Sequence, residues 1–353
     1  MMESCCVFKK LKMKRIYFTF LICFVFVQFT NAQDFTFSQF YEMPLMRNPA
    51  LTGIFTGDIR FQAGYRSQWE SVPVPYKTQV LSGEARFPIG KQNDFISVGL
   101  QLAHDEAGDS KLGRIELLPV VNFHKSFNDK ASYLSFALMG GVVQSQFDPT
   151  RLTFDDQFVN GQYDPLNPTN QMFQKTSITH MDGGTGLAFS STTYSGVNYY
   201  LGVGAYHLLK PKVTFFDDQN TLLMQRYVAN AGVNVPTGDN NNTYFYADYN
   251  AQGGNEQFLA GVIYCYNIFL DDLDDPYNKT AINFGLAYRW ADAVIPITKL
   301  EINKFIFGAS YDVNVSKLSA STNYKGGFEF SMSYKSTLNI NIMKDYGAKC
   351  PKF

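Results

Sequence analysis

Apolar and polar residues alternate along this sequence with a period of two, in one segment after another. Ile282, Phe284, Leu286, Tyr288 and Trp290 occupy every second position, with Asn283, Gly285, Ala287 and Arg289 between them. Phe328, Phe330, Met332 and Tyr334 alternate in the same way with Glu329, Ser331, Ser333 and Lys335, and Ile59, Phe61, Ala63 and Tyr65 with Arg60, Gln62, Gly64 and Arg66. Side chains two apart share one face of a β-strand, so each segment predicts a strand with one apolar and one polar face. The segments run about 9–12 residues, the length of a tilted strand crossing a bilayer and longer than the usual strand of soluble sheets. Lipid cannot satisfy an open sheet edge, so such strands must close into a barrel. A soluble sandwich would alternate as well. Against it stand the strand length, the glycines and small polar residues on one face, and a charged content of only 17% where soluble proteins average about 25%. An aromatic content of 16% also suits strands, and tyrosines near strand ends (Tyr264, Tyr266, Tyr288) fit interfacial girdles.

The fold class expected is therefore all-β, a transmembrane antiparallel β-barrel of about fourteen strands. They fall at 59–68, 78–87, 94–104, 113–125, 131–146, 181–190, 198–209, 226–235, 243–251, 256–268, 281–290, 294–302, 304–315 and 326–335. The number is even, as bacterial single-chain barrels require. With both termini periplasmic, short turns such as Asn128-Asp129-Lys130 and Pro236 to Asn242 lie inside, and the longest loop, Asp148 to His180, lies outside. The acidic run from Asp271 to Pro276 is a periplasmic turn without calcium-loop spacing.

From Met13 the chain reads as a secretory leader: Lys14 and Arg15, an apolar run from Ile16 to Phe29, and small residues before Gln33. Residues 1–32 are thus the expected signal peptide, with 1–12 an extension ahead of the better start at Met13. The apolar run is too short to span a bilayer as a helix. Its removal leaves Cys265 and Cys350 of the five cysteines, no disulfide scaffold and no four-ligand metal site. Lys plus Arg is 30 against 31 Asp plus Glu, so there is no basic footprint for nucleic acid.

Residues 33–57 are not strand-like, being punctuated by Pro44, Pro49 and Gly53 yet rich in Phe35, Phe37, Phe40 and Tyr41. They are expected to pack at the periplasmic mouth as a plug or docking segment anchored by Phe40, Tyr41, Pro44, Asn48 and Pro49, or as a purely structural strap. The barrel itself should span 58–336, followed by a periplasmic tail at 337–353. In the last strand, Gly327, Phe330, Met332 and Tyr334 resemble a barrel assembly signal. Parity turns Cys265 inward near the periplasmic end of its strand, within reach of a tail that folds back, so a Cys265–Cys350 disulfide is expected. The four histidines, His104, His124, His180 and His207, show no metal-ligand spacing. No nucleophile elbow, phosphate loop or dinucleotide fingerprint occurs. No catalytic residue, metal or cofactor is assigned.

Ser38-Gln39-Phe40-Tyr41, then Pro44, Asn48-Pro49-Ala50, Thr52-Gly53 and Tyr65-Arg66-Ser67-Gln68-Trp69 together resemble the signature of the PorP/SprF family. The similarity continues through His207 to Pro211, Phe307 to Val313, Gly326 to Tyr334 and the closing Cys350-Pro351-Lys352-Phe353. The resemblance implies an outer-membrane protein of the type IX secretion system of Bacteroidetes. It also implies that such a protein binds cargo through its C-terminal sorting domain, of the gliding-adhesin type, and exports it or anchors it at the surface. Implied partners are that cargo domain, other periplasmic and outer-membrane secretion components, and outer-membrane lipid. A passive or gated pore for small solutes is the alternative.

Overall fold

The computed structural model describes residues 34–68, 74–90, 93–127, 132–159, 161–216, 221–238, 241–270, 279–316, 319 and 324–337. The leader, the acidic turn, the Asn128-Asp129-Lys130 turn, Trp69 and the tail with Cys350 lie outside these.

Fourteen antiparallel strands close into one barrel. They are β1 (Ile59–Gln68), β2 (Tyr76–Ile89), β3 (Asp94–Ala107), β4 (Leu112–Phe127), β5 (Ser132–Gln146), β8 (Ser177–Thr192), β9 (Asn198–Tyr206), β10 (Arg226–Pro236), β11 (Asn242–Gln252), β12 (Asn255–Leu270), β13 (Lys279–Arg289), β14 (Ala293–Ile302), β15 (Phe305–Asn314) and β16 (Lys325–Ser336). A separate two-stranded hairpin, β6 (Phe158–Val159) with β7 (Gln162–Tyr163), sits in the long connection after β5. Closure is made by ten residue pairs between β1 and β16, from Ile59 opposite Ser336 to Gln68 opposite Gly327. Every expected strand corresponds to a barrel strand.

Alternation decides which way each strand faces. On β1, Arg60, Gln62 and Arg66 are buried in the lumen while Phe61 stands outward. On β16, Glu329, Ser331 and Ser333 are buried and Phe330 and Met332 face out. The outward set (Leu81, Leu138, Leu201, Phe284 and Leu286 among others) forms an apolar band that only lipid can cover.

Connections of very different length gather at the two ends. One end carries 147–176, 207–225 and 315–324; at the other none exceeds eight residues. We call these the long-loop and short-turn ends. Strand ends shift from expectation by up to four residues, and two of the shifts move a histidine. β8 begins at Ser177, so His180 belongs to the wall and not to the loop. There the strand rises past the apolar band, and its outward Ser177 and Thr179 have no need to be apolar. β9 stops at Tyr206 rather than 209, because His207 takes a positive φ of 58° and leaves the ladder.

The hydrophobic core lies inside the barrel and is supplied largely by the N-terminal segment. The segment expected at the periplasmic mouth extends much further, running the length of the lumen from the long-loop half at Asp34 to the start of β1. Its Phe37, Phe40, Met43, Leu45, Leu51, Ile54 and Phe55 are each 5% exposed or less. Phe40 packs on Leu259, Ile263, Ile295 and Ile297; Leu45 on Leu118, Val120 and Val228; Phe37 and Met43 on Val80 and Ala103. Each such side chain contributes about 1.5–3 kcal/mol on burial.

Candidate functional site

The strap, as we call Asp34–Asp58, stays irregular for local reasons. Pro44 and Pro49 each open a short helical turn, where a missing N–H costs nothing. The Asn48 side chain caps the second turn by accepting from Ala50 N at 2.9 Å. Gly53 and Gly57 take positive φ of 83° and 113° and turn the chain toward β1.

Charged and polar wall residues grip the strap at successive heights. Nearest the long-loop end, the Asp34 carboxylate accepts from Arg114 at 2.9 Å and from His207 Nε2 at 2.5 Å, with Arg226 at 3.4 Å. His207 Nδ1 meets Asp182 at 2.5 Å. Burial alone would lower the histidine's pKa; the hydrogen bonds to Asp182 and Asp34 outweigh it and raise the value to about 9. Burial likewise opposes the Asp34 charge, but Arg114 and His207 hold that carboxyl well below its usual range. Both ring nitrogens are committed to carboxylates, leaving neither to activate a nucleophile.

Below this, Glu329 accepts the backbone N–H groups of Ser38 and Gln39 at 2.6 and 2.7 Å. Ser38 Oγ donates to Asp312 at 2.6 Å, and Arg66 and Arg289 bridge to the same carboxylate at 3.1 and 2.7 Å. Further down, Arg47 makes a two-pronged pair with Asp248 at 2.7 and 2.6 Å and lies 4.8 Å over the Phe40 ring. Glu42 meets Lys299 at 2.5 Å; burial opposes its charge, and Lys299 prevails to lower its pKa. Asn48, fully buried, donates to the carbonyls of Val203 and Leu187 at 3.1 and 3.4 Å and to Asn230 at 3.3 Å. Its niche exists because the wall carries glycines there. A Cβ on Gly186 would come within 2.0 Å of Asn48 Oδ1, and one on Gly202 within 2.7 Å of Nδ2. Near the short-turn end Gly53 N donates to Glu84 at 2.8 Å, Asn122 donates to the Ala50 and Thr52 carbonyls at 2.9 and 2.8 Å, and Arg86 to those of Phe55 and Gly57 at 3.1 Å.

The strap fills the two halves of the lumen unequally. In the long-loop half two gaps between strap and wall hold about 20 and 30 Å³, room for a water or two. In the short-turn half a vestibule of about 480 Å³ opens at the barrel rim. The strap's Tyr41, Glu42 and Pro44 form one side, and Lys279, Lys299, Glu301, Lys304 and Lys335 line the wall.

The five strap residues singled out by sequence are thus brought together in the lumen. Phe40, Pro44, Asn48 and Pro49 are buried, and Tyr41 stacks on Tyr246 at 5.1 Å beside the vestibule. Gly327 faces inward on β16, with Phe330, Met332 and Tyr334 on the opposite face. Cys265 points into the lumen and is buried, its Sγ 3.8 Å from Asn267 Oδ1. Its expected partner Cys350 is outside the described residues. Sequence reasoning missed the strap's charged anchors, Asp34, Glu42 and Arg47, and their wall partners. The available signal was charge at inward-parity positions, such as Arg66, Asp312 and Glu329, which needs a counter-charge once buried.

A family model described as the type IX secretion system membrane protein PorP/SprF matches residues 29–334. No curated protein matches the chain. Among solved structures, the toluene transporter TbuX of Ralstonia pickettii is similar at 8% identity over 84% of this chain and 94% of its own, with a TM-score of 0.48. A FadL homologue of Pseudomonas aeruginosa is similar at 10% over 82% and 92%, TM-score 0.45. BamA of Haemophilus ducreyi lacking POTRA domains 1–3 is similar at 10% over 79% and 70%, TM-score 0.38. At these scores no property of this chain follows from them. The family match over nearly the whole length is another matter, since it agrees with a closed fourteen-stranded barrel banded for lipid: the chain belongs to the PorP/SprF family of type IX secretion system membrane proteins, and is an outer-membrane β-barrel.

Proposed function

We propose that this barrel serves type IX secretion by holding cargo rather than by conducting solutes. It binds the C-terminal sorting domain of exported proteins, adhesins among them, and passes them to the surface or anchors them there, in contact with other secretion components. The observation that carries the reading is the strap. A passive pore needs a continuous aqueous path, and among the described residues the long-loop half of this lumen is occupied by a segment gripped by buried ion pairs, with two gaps beside it of about 20 and 30 Å³. Breaking such pairs singly leaves an uncompensated buried charge at about 3–5 kcal/mol, so the strap is a fixture of the folded state. What remains for partners is the vestibule and the loops.

Two measurements test this. In planar bilayers the intact barrel should show no steady large conductance, and a chain lacking 38–53 should conduct. A large open channel in the intact protein would favour the pore. In cells, deletion of the gene should remove from the surface a defined set of proteins bearing C-terminal sorting domains; an unaltered surface proteome sinks the proposal.

A further inference from the structure

Among the described residues β8 keeps an open edge at the long-loop end. β9 pairs with β8 from Thr192 opposite Asn198 only as far as Thr185 opposite Ala205, whereas on its other side β8 stays paired with β5 up to Ser177 opposite Gln146. The cause is local. His207 and Lys210 take positive φ of 58° and 46°, and the turn between them, closed by Lys210 N donating to His207 O at 3.1 Å, takes the chain off the wall. Beyond it 211–213 pair with the returning chain: Val213 N donates to Thr221 O at 3.0 Å and Leu223 N to Pro211 O at 2.9 Å. The stretch that would have extended β9 thus uses its backbone groups on itself.

Which groups this leaves on β8 follows from the ladder. In an antiparallel sheet a residue's N–H and C=O point to one neighbour, and successive residues alternate between neighbours. Thr176 O accepts from Phe147 N at 3.0 Å on the β5 side, and Gly183 O from Leu208 N at 3.0 Å on the other. Even-numbered residues therefore face β5, and the N–H and C=O groups of Ser177, Thr179 and Met181 face the gap, with no backbone partner among the described residues. At about 3.4 Å per residue this row is about 20 Å long, room for a strand of ordinary length. Exposed edges are ordinarily guarded by lysine, proline or a bulge. Residues 177–181 read Ser-Ile-Thr-His-Met, with neither, and their register with β5 is unbroken.

A row of donors and acceptors at strand pitch is complementary to another extended backbone. Lipid is a poor match, since Ser177 and Thr179 on the outer face are polar and exposed. Met181 on that face is 68% exposed, an apolar side chain ready for cross-strand contact. On the inner face both ring nitrogens of His180 are buried without a partner, and the side chain of an added strand would stand close across from them. Lys210 and Lys212, exposed where the chain leaves the wall, form no ion pair among the described residues. Carboxylates on the incoming strand supply acceptors for the imidazole and the lysines alike. Pairing two copies edge to edge would instead gather the lysines of both at one seam, which like charge opposes.

We infer that the open edge of β8 is a strand-addition site for an extended, acidic segment of another polypeptide. Naming that polypeptide as cargo held at the surface rests on the role proposed above, and on the long-loop end facing outward.

The test uses the full chain purified in detergent and the fluorescence anisotropy of labelled short peptides. One peptide alternates valine with glutamate; a second is the same peptide with every other backbone nitrogen methylated, which keeps the charge but cannot join a sheet. The first should bind at least about tenfold more tightly than the second, the effect of losing a few backbone hydrogen bonds. Equal binding of the two by the unaltered protein, which needs no variant to interpret, overturns the inference. A peptide alternating valine with lysine should bind more weakly than the glutamate peptide, and the reverse order overturns it as well. Thr179→Pro removes a donor on the gap side while the even-numbered residues keep their bonds to β5; it should abolish binding, and Thr179→Val should retain it. Dimers seen by light scattering without peptide, and lost in Thr179→Pro, would give the edge to a second copy and overturn the inference. If the glutamate peptide shows no preference over its methylated form while gene deletion still strips cargo from the surface, the edge assignment alone has failed and the holding role stands. If the preference is present while deletion leaves the surface unaltered, the holding role has failed and the edge remains a strand-addition site.

Discussion

Asn48 shows how much a single side chain is asked to do inside this barrel. Its amide caps a helical turn and reaches two wall carbonyls and Asn230, all without solvent to replace any of them. Asn48→Ala should therefore cost about 2–3 kcal/mol, a lost cap plus orphaned acceptors, read as a lower unfolding midpoint in detergent. Gly186→Ala should cost a similar amount by driving a methyl into the amide's place, and the double variant should be far less destabilised than the sum. His207 makes the complementary case for charge. Its pKa is raised from the ordinary 6.5 to about 9, so its stabilisation is complete below pH 6.5 and fades as pH climbs through 9. The contribution at stake is on the order of 3 kcal/mol. The wild-type unfolding temperature should drop between pH 6.5 and pH 10 by more than that of His207→Gln, which should start lower; parallel curves would refute the linkage. Sequence identified Asn48 through its place in a recognisable string, but left His207 as an unremarkable lumen or loop histidine. Its partners Asp34 and Asp182 are separated from it by 173 and 25 positions, and no spacing rule joins them.

The strands were legible because each carries its own evidence: a period of two needs no knowledge of the neighbours, and lipid outside and charge inside make the contrast strong. Their ends were less so. At Ser177 and Tyr206 the apolar band no longer dictates the outward residues, and the pattern loses contrast while the ladder continues or stops for other reasons. The strap is the opposite kind of element. Its irregularity could be read from Pro44, Pro49 and Gly53, whereas its path could not, since the path is set by glycines and charges on seven or more different strands. β16 offers a test of strand-level reading. Phe330 lies opposite Tyr65 on β1 and Ala309 on β15, outward at mid-strand. Phe330→Arg should cost about 2–4 kcal/mol if that position sits at the bilayer midplane. As part of the proposed assembly signal, it should also lower the fraction of chains that reach the heat-modifiable folded form. Ser331→Ala, on the lumen side of the same strand, should assemble normally.

At the scale of the whole molecule, function depends on which end faces which compartment. The vestibule opens beside the turns at 193–197 and 303–304, and the packed half of the lumen faces the long loops. Outer-membrane barrels keep short turns in the periplasm and long loops outside, and the sequence already carried that asymmetry in the proline-rich stretch from Asp148 onward. Two exposed residues mark the two ends: Leu166, 88% exposed in the longest loop, and Tyr194, fully exposed in a short turn. In a background where every cysteine but Cys265, which is buried in the described lumen, is changed to serine, Leu166→Cys should react with a membrane-impermeant maleimide on intact cells. Tyr194→Cys should react only once the outer membrane is breached. The reverse pattern would turn the vestibule toward the medium and would leave a barrel whose packed half seals the cell side. Such a protein could display something at the surface but could not receive it from within, so this labelling decides whether a holder of outbound cargo is compatible with the way the barrel sits in the membrane.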